Sequence, residues 1–339
     1  MSHALDKMKF FRKTKCDTSS GGACRSFGRV ICAGVVLLIA SSTQAQDLFA
    51  SDYDNGNIYA FTPGGTQRTF ASGLVHPTAL AFNSAGDLFV ADSGAGTIRK
   101  FTQDGIGSTF ASGLSNPQGL AFDNGGSLYE ADWNSGTIYR FTPAGVKSAF
   151  ASGLVAPTGL AFNSAGDLFV AEQNGGLAGG NEITKITPGG VKSVYASTLG
   201  YGLAFDSAGN LFEAEWVSGN INEFTPSGAR STFASGLRFP WGLAFNSADE
   251  LFVSDLARWQ IYKFAPDGTQ STFASGSGYG FDGLAFQPVP EPSAAGLMGF
   301  GVIALLLRRK RFISLEGMAL NRANERVGGD GRLLPLVGD

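Results

Sequence analysis

The chain has 339 residues, of which 48 are Gly, 28 are Phe and only 16% are charged, a turn-rich, aromatic composition that excludes a disordered chain, a collagen-like repeat and a helical bundle. Residues 46–287 carry 11 Lys and Arg against 21 Asp and Glu, whereas the two ends together carry 14 basic against 7 acidic residues. An acidic middle repels phosphate backbones and argues against nucleic-acid binding.

The first 45 residues have the layout of a secretory signal. Lys7, Lys9, Arg12, Lys13, Lys15, Arg25 and Arg29 make a basic region, Val30 to Ala40 an apolar run, and Thr43, Gln44 and Ala45 supply the small-residue context of a cleavage site. A signal helix over 1–45 and a mature N-terminus at Gln46 are expected. Cys16, Cys24 and Cys32 all fall in this segment, so the mature chain has no thiol. Disulfides, cysteine nucleophiles, cysteine metal sites and thiol redox chemistry are thereby excluded from it.

From residue 46 to 287 a phrase recurs: Ala-Leu-Ala-Phe ending at Phe82, then Gly-Leu-Ala-Phe ending at Phe122, Phe162, Phe205, Phe245 and Phe286. Each phrase leads through a turn to a strand such as Leu88 to Asp92, a Gly-rich turn, a third strand such as Thr97 to Phe101, and a fourth such as Ser108 to Ser112. Four short strands at a period of about 40 residues are the pattern of a β-propeller blade. The N-terminal stretch supplies second, third and fourth strands without a first, and Gly283 to Phe286 supplies a first strand alone. The two fragments complete one blade, which predicts an all-β, six-bladed propeller of four-stranded antiparallel sheets closed by pairing the C-terminal strand with the N-terminal three.

After the ring come Pro290, Glu291 and Pro292, an uncharged run from Ser293 to Leu307, and the basic cluster Arg308, Arg309, Lys310 and Arg311. As a helix this run rises about 22 Å, short of the roughly 30 Å hydrocarbon core. Residues 288–311 are expected to form a sorting segment with a membrane helix whose basic end stays cytoplasmic, and 312–339 an unstructured extension.

These residues carry two resemblances. The run Leu88 to Asp92 followed by Thr97 to Phe101, repeated with Gly-Leu-Ala before it, resembles the NHL-repeat propellers and the wider superfamily of gluconolactonases and streptogramin lyases. The order Pro-Glu-Pro, apolar helix, basic cluster resembles the PEP-CTERM sorting signal. The second resemblance implies recognition by an exosortase, anchorage in the membrane before processing, and a destination at the cell surface or beyond. The first implies the fold but not one activity, because such propellers host lactonases, lyases and binding modules alike.

Functional candidates are positions where the sixfold pattern breaks. The acidic series Asp52, Asp92, Asp132, Glu172, Glu215 and Asp255 closes the second strand of every blade and is read as architectural, its carboxylates accepting turn and inter-blade backbone hydrogen bonds. The residue before the Gly or Ala of each first strand instead differs around the ring: Thr78, Gln118, Thr158, Tyr201, Trp241 and Asp282. Two readings stand for this ring, a ligand-facing channel mouth and the filler of a wet channel. In the gluconolactonase-like families a divalent metal is held by Glu, Asn and Asp at this position; here Asp282 alone matches, so no metal site or cofactor is expected.

His76, the one histidine of the mature ring, enters blade two, where a lyase-type base or a solvated side chain are the alternatives. No catalytic residue is assigned. Tyr201, Trp216, Phe239, Trp241, Trp259, Tyr279 and Phe281 gather in loops of blades five, six and one, suiting either sugar stacking or inter-blade packing. Trp133 stands apart in blade three. A Gly-rich insertion between Gln173 and Glu182 lengthens one loop of blade four. Glu130 and Glu213 replace the Val found in three other blades.

The sequence thus points to an exported, surface-sorted, non-catalytic propeller binding a glycan or extracellular matrix component. A metal-dependent lactonase or streptogramin-type lyase and a protein-interaction scaffold are the alternatives. Intact-mass measurement of the released protein is expected to show Gln46 at the N-terminus and loss of the residues beyond Pro292. A mature form that keeps residues 1–45, or that stays wholly in the cytosol, overturns the two-signal reading.

Overall fold

The computed structural model describes residues 46–173, 181–276 and 280–289. The signal segment 1–45, the insertion at 174–180, Tyr279 and the sorting and C-terminal segments from Pro290 onward lie outside the described residues. Six four-stranded antiparallel sheets are present among those described, as the repeat predicts. Blade two is typical, running Pro77–Phe82, Leu88–Asp92, Thr97–Phe101 and Gly107–Ser112 from hub to rim. Blades three to six start at Pro117–Phe122, Pro157–Phe162, Gly200–Phe205 and Pro240–Phe245.

Blade one is the composite one. Its hub strand is Leu284–Phe286, paired to Leu48–Asp52 in the register Leu48 to Phe286 and Ala50 to Leu284, and followed by Asn57–Phe61 and Gln67–Ala71. The remote ends of the array are therefore joined by a sheet ladder, which removes the edge an open array would expose.

Second strands such as Leu88–Asp92 are buried at every position because both faces of the sheet are covered. Strand alternation then sends Leu88 and Val90 into the core shared with blade one, beside Ile58 and Ala60, and Phe89 and Ala91 into the core shared with blade three, beside Leu120 and Leu128. Such cores occur at all six inter-blade seams.

An aromatic triad repeats in each core. Phe89 meets Phe110 of its own blade at 5.0 Å and Phe122 of the next at 5.1 Å, both edge to face, the geometry that ring quadrupoles favour. The phrase-ending Phe is thus the residue that each blade lends to its predecessor. At the seam that closes the ring Phe286 does the same, meeting Phe252 at 4.9 Å and 76°.

Phe286→Ala therefore removes a contact that no neighbouring repeat can replace. It is expected to cost about 2–4 kcal/mol, lowering Tm by about 4–16 °C, whereas Val191→Ala, at a turn and 67% exposed, stays within about 0.5 kcal/mol. Equal melting temperatures for the two variants would refute the closure.

Candidate functional site

The hub strands surround a well of about 180 Å³ whose lining includes Thr78, Gln118, Thr158, Tyr201 and Trp241. Two features of the sequence put these side chains there. The following Gly has no room for a side chain: a Cβ on Gly119 would run into the carbonyl oxygen of Thr158, and one on Gly159, Gly202 or Gly242 into the carbonyl of Tyr201, Trp241 or Asp282. In addition, the first strand slips register against the second between Pro77 and Leu80, and likewise in blades three to six. A bulge of this kind re-aims the residue it carries.

The six positions are not equivalent once placed. Thr78 and Thr158 are nearly buried and use their hydroxyls on backbone, Thr78 donating to the carbonyl of Pro117 at 3.1 Å and Thr158 to that of Ala171 at 3.2 Å. Gln118 is half-buried and donates to Asn116 Oδ1 at 2.8 Å. Tyr201 and Trp241 stack on each other with centroids 4.0 Å apart and planes 27° apart. Asp282 is not among the residues lining the well; it accepts from the Tyr53 amide at 3.3 Å. Burial, with Asp54 and Asp52 nearby, pushes its carboxyl up to about 7.

Two hub residues escaped the sequence reading. Ser51 and Ser254 replace the Ala that the other blades carry just before the acidic residue. Ser51 donates to the carbonyl of Thr78 and accepts from the Gly283 amide, and Ser254 donates to the carbonyl of Asp282 and accepts from the Gly242 amide. They stitch the hub on both sides of the closing strand. The only signal was that Ser stood at this position in blades one and six alone.

The aromatics predicted as one group separate into three. Trp241, Tyr201, Trp216 and Phe239 form a continuous row, with Tyr201 and Trp216 5.7 Å apart and Trp216 and Phe239 4.8 Å apart. Phe281 is buried in the core between blades six and one. Trp259 makes no ring contact with the row among the described residues and is 46% exposed. His76, in the loop entering blade two, stacks on Tyr53 at 4.4 Å and 10°, in a left-handed backbone conformation with φ of 57°.

The acidic series largely does what its repetition predicts. Asp92, Asp132, Glu172 and Asp255 accept, each at 2.7 Å, from the amides of Val75, Ser115, Val155 and Arg238 in the loop leading into their own blade. Asp52 accepts from the Asn55 amide in its turn. Glu215 departs from the pattern, because the loop leading into blade five is shorter; its carboxylate takes Ser218, Asn222 and Arg230 instead.

Glu130 and Glu213 are wholly buried between blades. Glu213 accepts from Thr198 and Asn222, both at 3.0 Å, and its side chain occupies the space beside Gly200, where four other blades carry the strand-leading Pro. In this conformation the Glu213 side chain leaves no room for a ring at Gly200, whereas blade three keeps Pro117 alongside Glu130. Glu130 has no hydrogen-bond partner among the described residues; burial, with Asp132 nearby, pushes its carboxyl up to about 9.

The donor set of the well does not suit a hard divalent cation. Two of its hydroxyls are bonded to backbone, two of its members are stacked aromatics, and the single carboxylate of the series faces Tyr53. A hard cation takes six or more oxygens, several of them carboxylate, and the residues gathered at this hub do not supply them.

Residues 19–174 match the family model described as the SMP-30/gluconolactonase/LRE-like region, and residues 288–311 match the PEP-CTERM protein-sorting motif. No curated protein matches the chain in sequence. Among solved structures, a chain of the nidogen/laminin complex is 18% identical with a TM-score of 0.66, covering 73% of this chain and 99% of that one. A streptogramin B lyase is 18% identical with a TM-score of 0.56, covering 68% and 80%. A gluconolactonase from Xanthomonas campestris is 20% identical with a TM-score of 0.57, covering 62% and 79%. At these identities the likeness carries the fold. The sorting motif marks an exported surface protein, membrane-associated before an exosortase processes it.

Glu130 makes stability depend on pH. In the unfolded chain its carboxyl ionises near 4.5, while the folded protein holds the proton up to about 9. Stability from this group is therefore full below the ordinary carboxylate range and is lost as pH rises through that window, by at most about 1.4 kcal/mol per pH unit. Urea melts between pH 7 and 9, above the range in which Asp282 contributes a slope of the same sign, are expected to show this slope in the wild type and to lose it in Glu130→Val. An unchanged slope in the variant would refute the assignment.

Proposed function

We propose that the chain is a non-catalytic binding module that presents its channel mouth to a glycan or other extracellular matrix component once sorted to the cell surface. The observation that supports this reading is the break of symmetry at the hub: the blade cores repeat almost residue for residue, while the pre-Gly positions carry different side chains. Two of these, Tyr201 and Trp241, are half-buried and continue into the row Trp216 and Phe239. Aromatic faces bind the apolar faces of pyranose rings, and Gln118 supplies an amide for hydroxyls.

The enzymatic alternative has less behind it. The well lacks the oxygen donors of a lactonase metal site, and His76 is stacked on Tyr53 beside a carboxyl that faces the Tyr53 amide. A scaffold binding protein through the same face is the second reading, favoured by the exposure of Phe239 and Trp259.

Trp241→Ala is expected to weaken binding of the host's extracellular polysaccharide tenfold or more, since losing the ring and its buried area costs about 1–3 kcal/mol. Trp133→Ala, a half-buried Trp of blade three outside the row, is the control and is expected to leave affinity within twofold. Titration calorimetry decides between them: equal losses from both substitutions, or no glycan bound at all, would favour protein recognition.

A further inference from the structure

Both ends of the ring leave from the face opposite the channel mouth. Within a blade the strands alternate in direction, so the turns after first and third strands share one face, while the loops entering each blade and the turns after second strands share the other. The well opens at the latter, because Thr78, Gln118, Thr158, Tyr201 and Trp241 stand second in their hub strands. All four Trp belong to that mouth face, Trp241 in its hub strand and Trp133, Trp216 and Trp259 in turns after second strands.

On the opposite face, blades two to six pass from first to second strand through a turn, at 83–87, 123–127, 163–167, 206–210 and 246–250, whose first amide donates to the carbonyl of its last residue at 2.9–3.1 Å. Blade one keeps this bond without the turn. The Gln287 amide donates to the Asp47 carbonyl at 3.0 Å, Gln46 Nε2 donates to the Gln287 carbonyl at 3.0 Å, and Gln46 Oε1 accepts from the Ser247 amide at 3.0 Å. The interrupted turn is thus pinned shut, and the sorting segment 288–311 continues directly from it.

That exit limits which face can meet a bilayer. From Gln287 to Ser293, where the uncharged run begins, the chain reaches at most about 21 Å. To turn the mouth toward the membrane it would have to pass outward across the three other strands of a blade, about 14 Å, and then along the height of a strand such as Pro77–Phe82, about 20 Å. The well, at about 180 Å³, offers no passage along the axis for such a segment. The path exceeds the reach. It does so although the mouth carries exposed Val75, Val217, Phe239 and Trp259, the groups that apolarity alone would bring to a membrane.

We propose that, in the membrane-associated form that precedes processing, the face of the interrupted turn rests on the bilayer and the channel mouth points away from it. The partner is a surface of zwitterionic lipid headgroups. On this face the turn carboxylates of Asp87, Asp167 and Glu250 are paired with Lys100, Lys185 and Lys263 at 2.9, 2.7 and 2.9 Å, and the exposed Asp104 and Asp267 disfavour anionic lipid. Ile106, Val146 and Val191, exposed at the turn tips of three consecutive blades, add small apolar contacts. The orientation holds whatever the mouth binds, and it leaves the mouth free to bind.

The test uses the full chain, made in a host without an exosortase so that the tail stays on, and reconstituted into phosphatidylcholine vesicles with and without nitroxide-labelled headgroups that quench indole emission on contact. The four native Trp are expected to keep their emission in the labelled vesicles. Thr66→Trp, Ile106→Trp and Val191→Trp each place one more indole at a turn tip of the proposed membrane face, in blades one, two and four, and each is expected to lose at least half of the added emission. Quenching of the native Trp would mean that the mouth meets the bilayer, and quenching of only one or two of the introduced indoles that the ring stands on its edge; either overturns the proposal. So does a chain that fails to float with the vesicles, or one that floats with none of the introduced indoles quenched. No glycan enters the experiment, so its outcome stands apart from that of the binding reading.

Discussion

The contact on which the molecule turns is the approach of each hub glycine to the backbone carbonyl of the next blade. Gly119, Gly159, Gly202, Gly242 and Gly283 each face such a carbonyl with no room for a Cβ, and this sets how tightly the first strands gather. A tight hub brings the residue before each glycine to a common well and lets Ser51 and Ser254 bridge adjacent strands with single hydroxyls. It also explains why the phrase reads Gly-Leu-Ala-Phe: small at the hub contact, then large where the strand diverges into the seam. Ala79 stands at this position in blade two, the one hub contact where a methyl group is carried.

Radial divergence sorts the rest of the structure. Close to the hub, packing is backbone on backbone and admits only Gly or Ala; at mid-blade it is aromatic on aromatic, with edge-to-face geometry repeated from seam to seam. Polar substitutions at this depth are expensive unless partnered, which is why the two buried glutamates behave so differently. Glu213 brought Thr198, Asn222 and Gly200 with it, a local network rebuilt around one carboxyl. Glu130 brought no such network among the described residues and stays protonated instead.

Fold and site were unequally legible in the sequence. The period, the four-strand grammar and the split blade were readable because each blade must satisfy the same neighbours, so the same physical demand was written six times. The acidic series was readable as architecture for the same reason, and Glu215 departed only where the preceding loop is shortened. The hub side chains were recognisable as exceptions, but their roles were not: nothing in Thr78 or Thr158 says that its hydroxyl is bonded to a carbonyl of the next strand or its own blade. Nor could spacing tell that Asp282 accepts from the Tyr53 amide and is not among the residues lining the well. Trp259 was visible as an aromatic and not as a residue in a glycine's place, since that requires aligning turns whose hydrogen bonds define the equivalence.

A closed ring of near-identical repeats has a seam where chain ends meet, and that seam is under a different constraint from the other five. There, as at every other seam, the chain returns from the rim of one blade to the hub of the next; what differs is that the strand it supplies, Leu284–Phe286, pairs with Leu48–Asp52 from the other end of the ring instead of running into its partner through a turn. Phe281 fills the core of the seam between blades six and one. Trp259 stands in a left-handed conformation, φ 54°, where the turns of blades one, two, three and five place a glycine, and its carbonyl accepts from the Gly276 amide. Closure by a C-terminal strand therefore concentrates constraint at one place: Leu284, Phe286, Ser51 and Ser254 hold the ring shut, with contacts that the other blades obtain from a covalent turn.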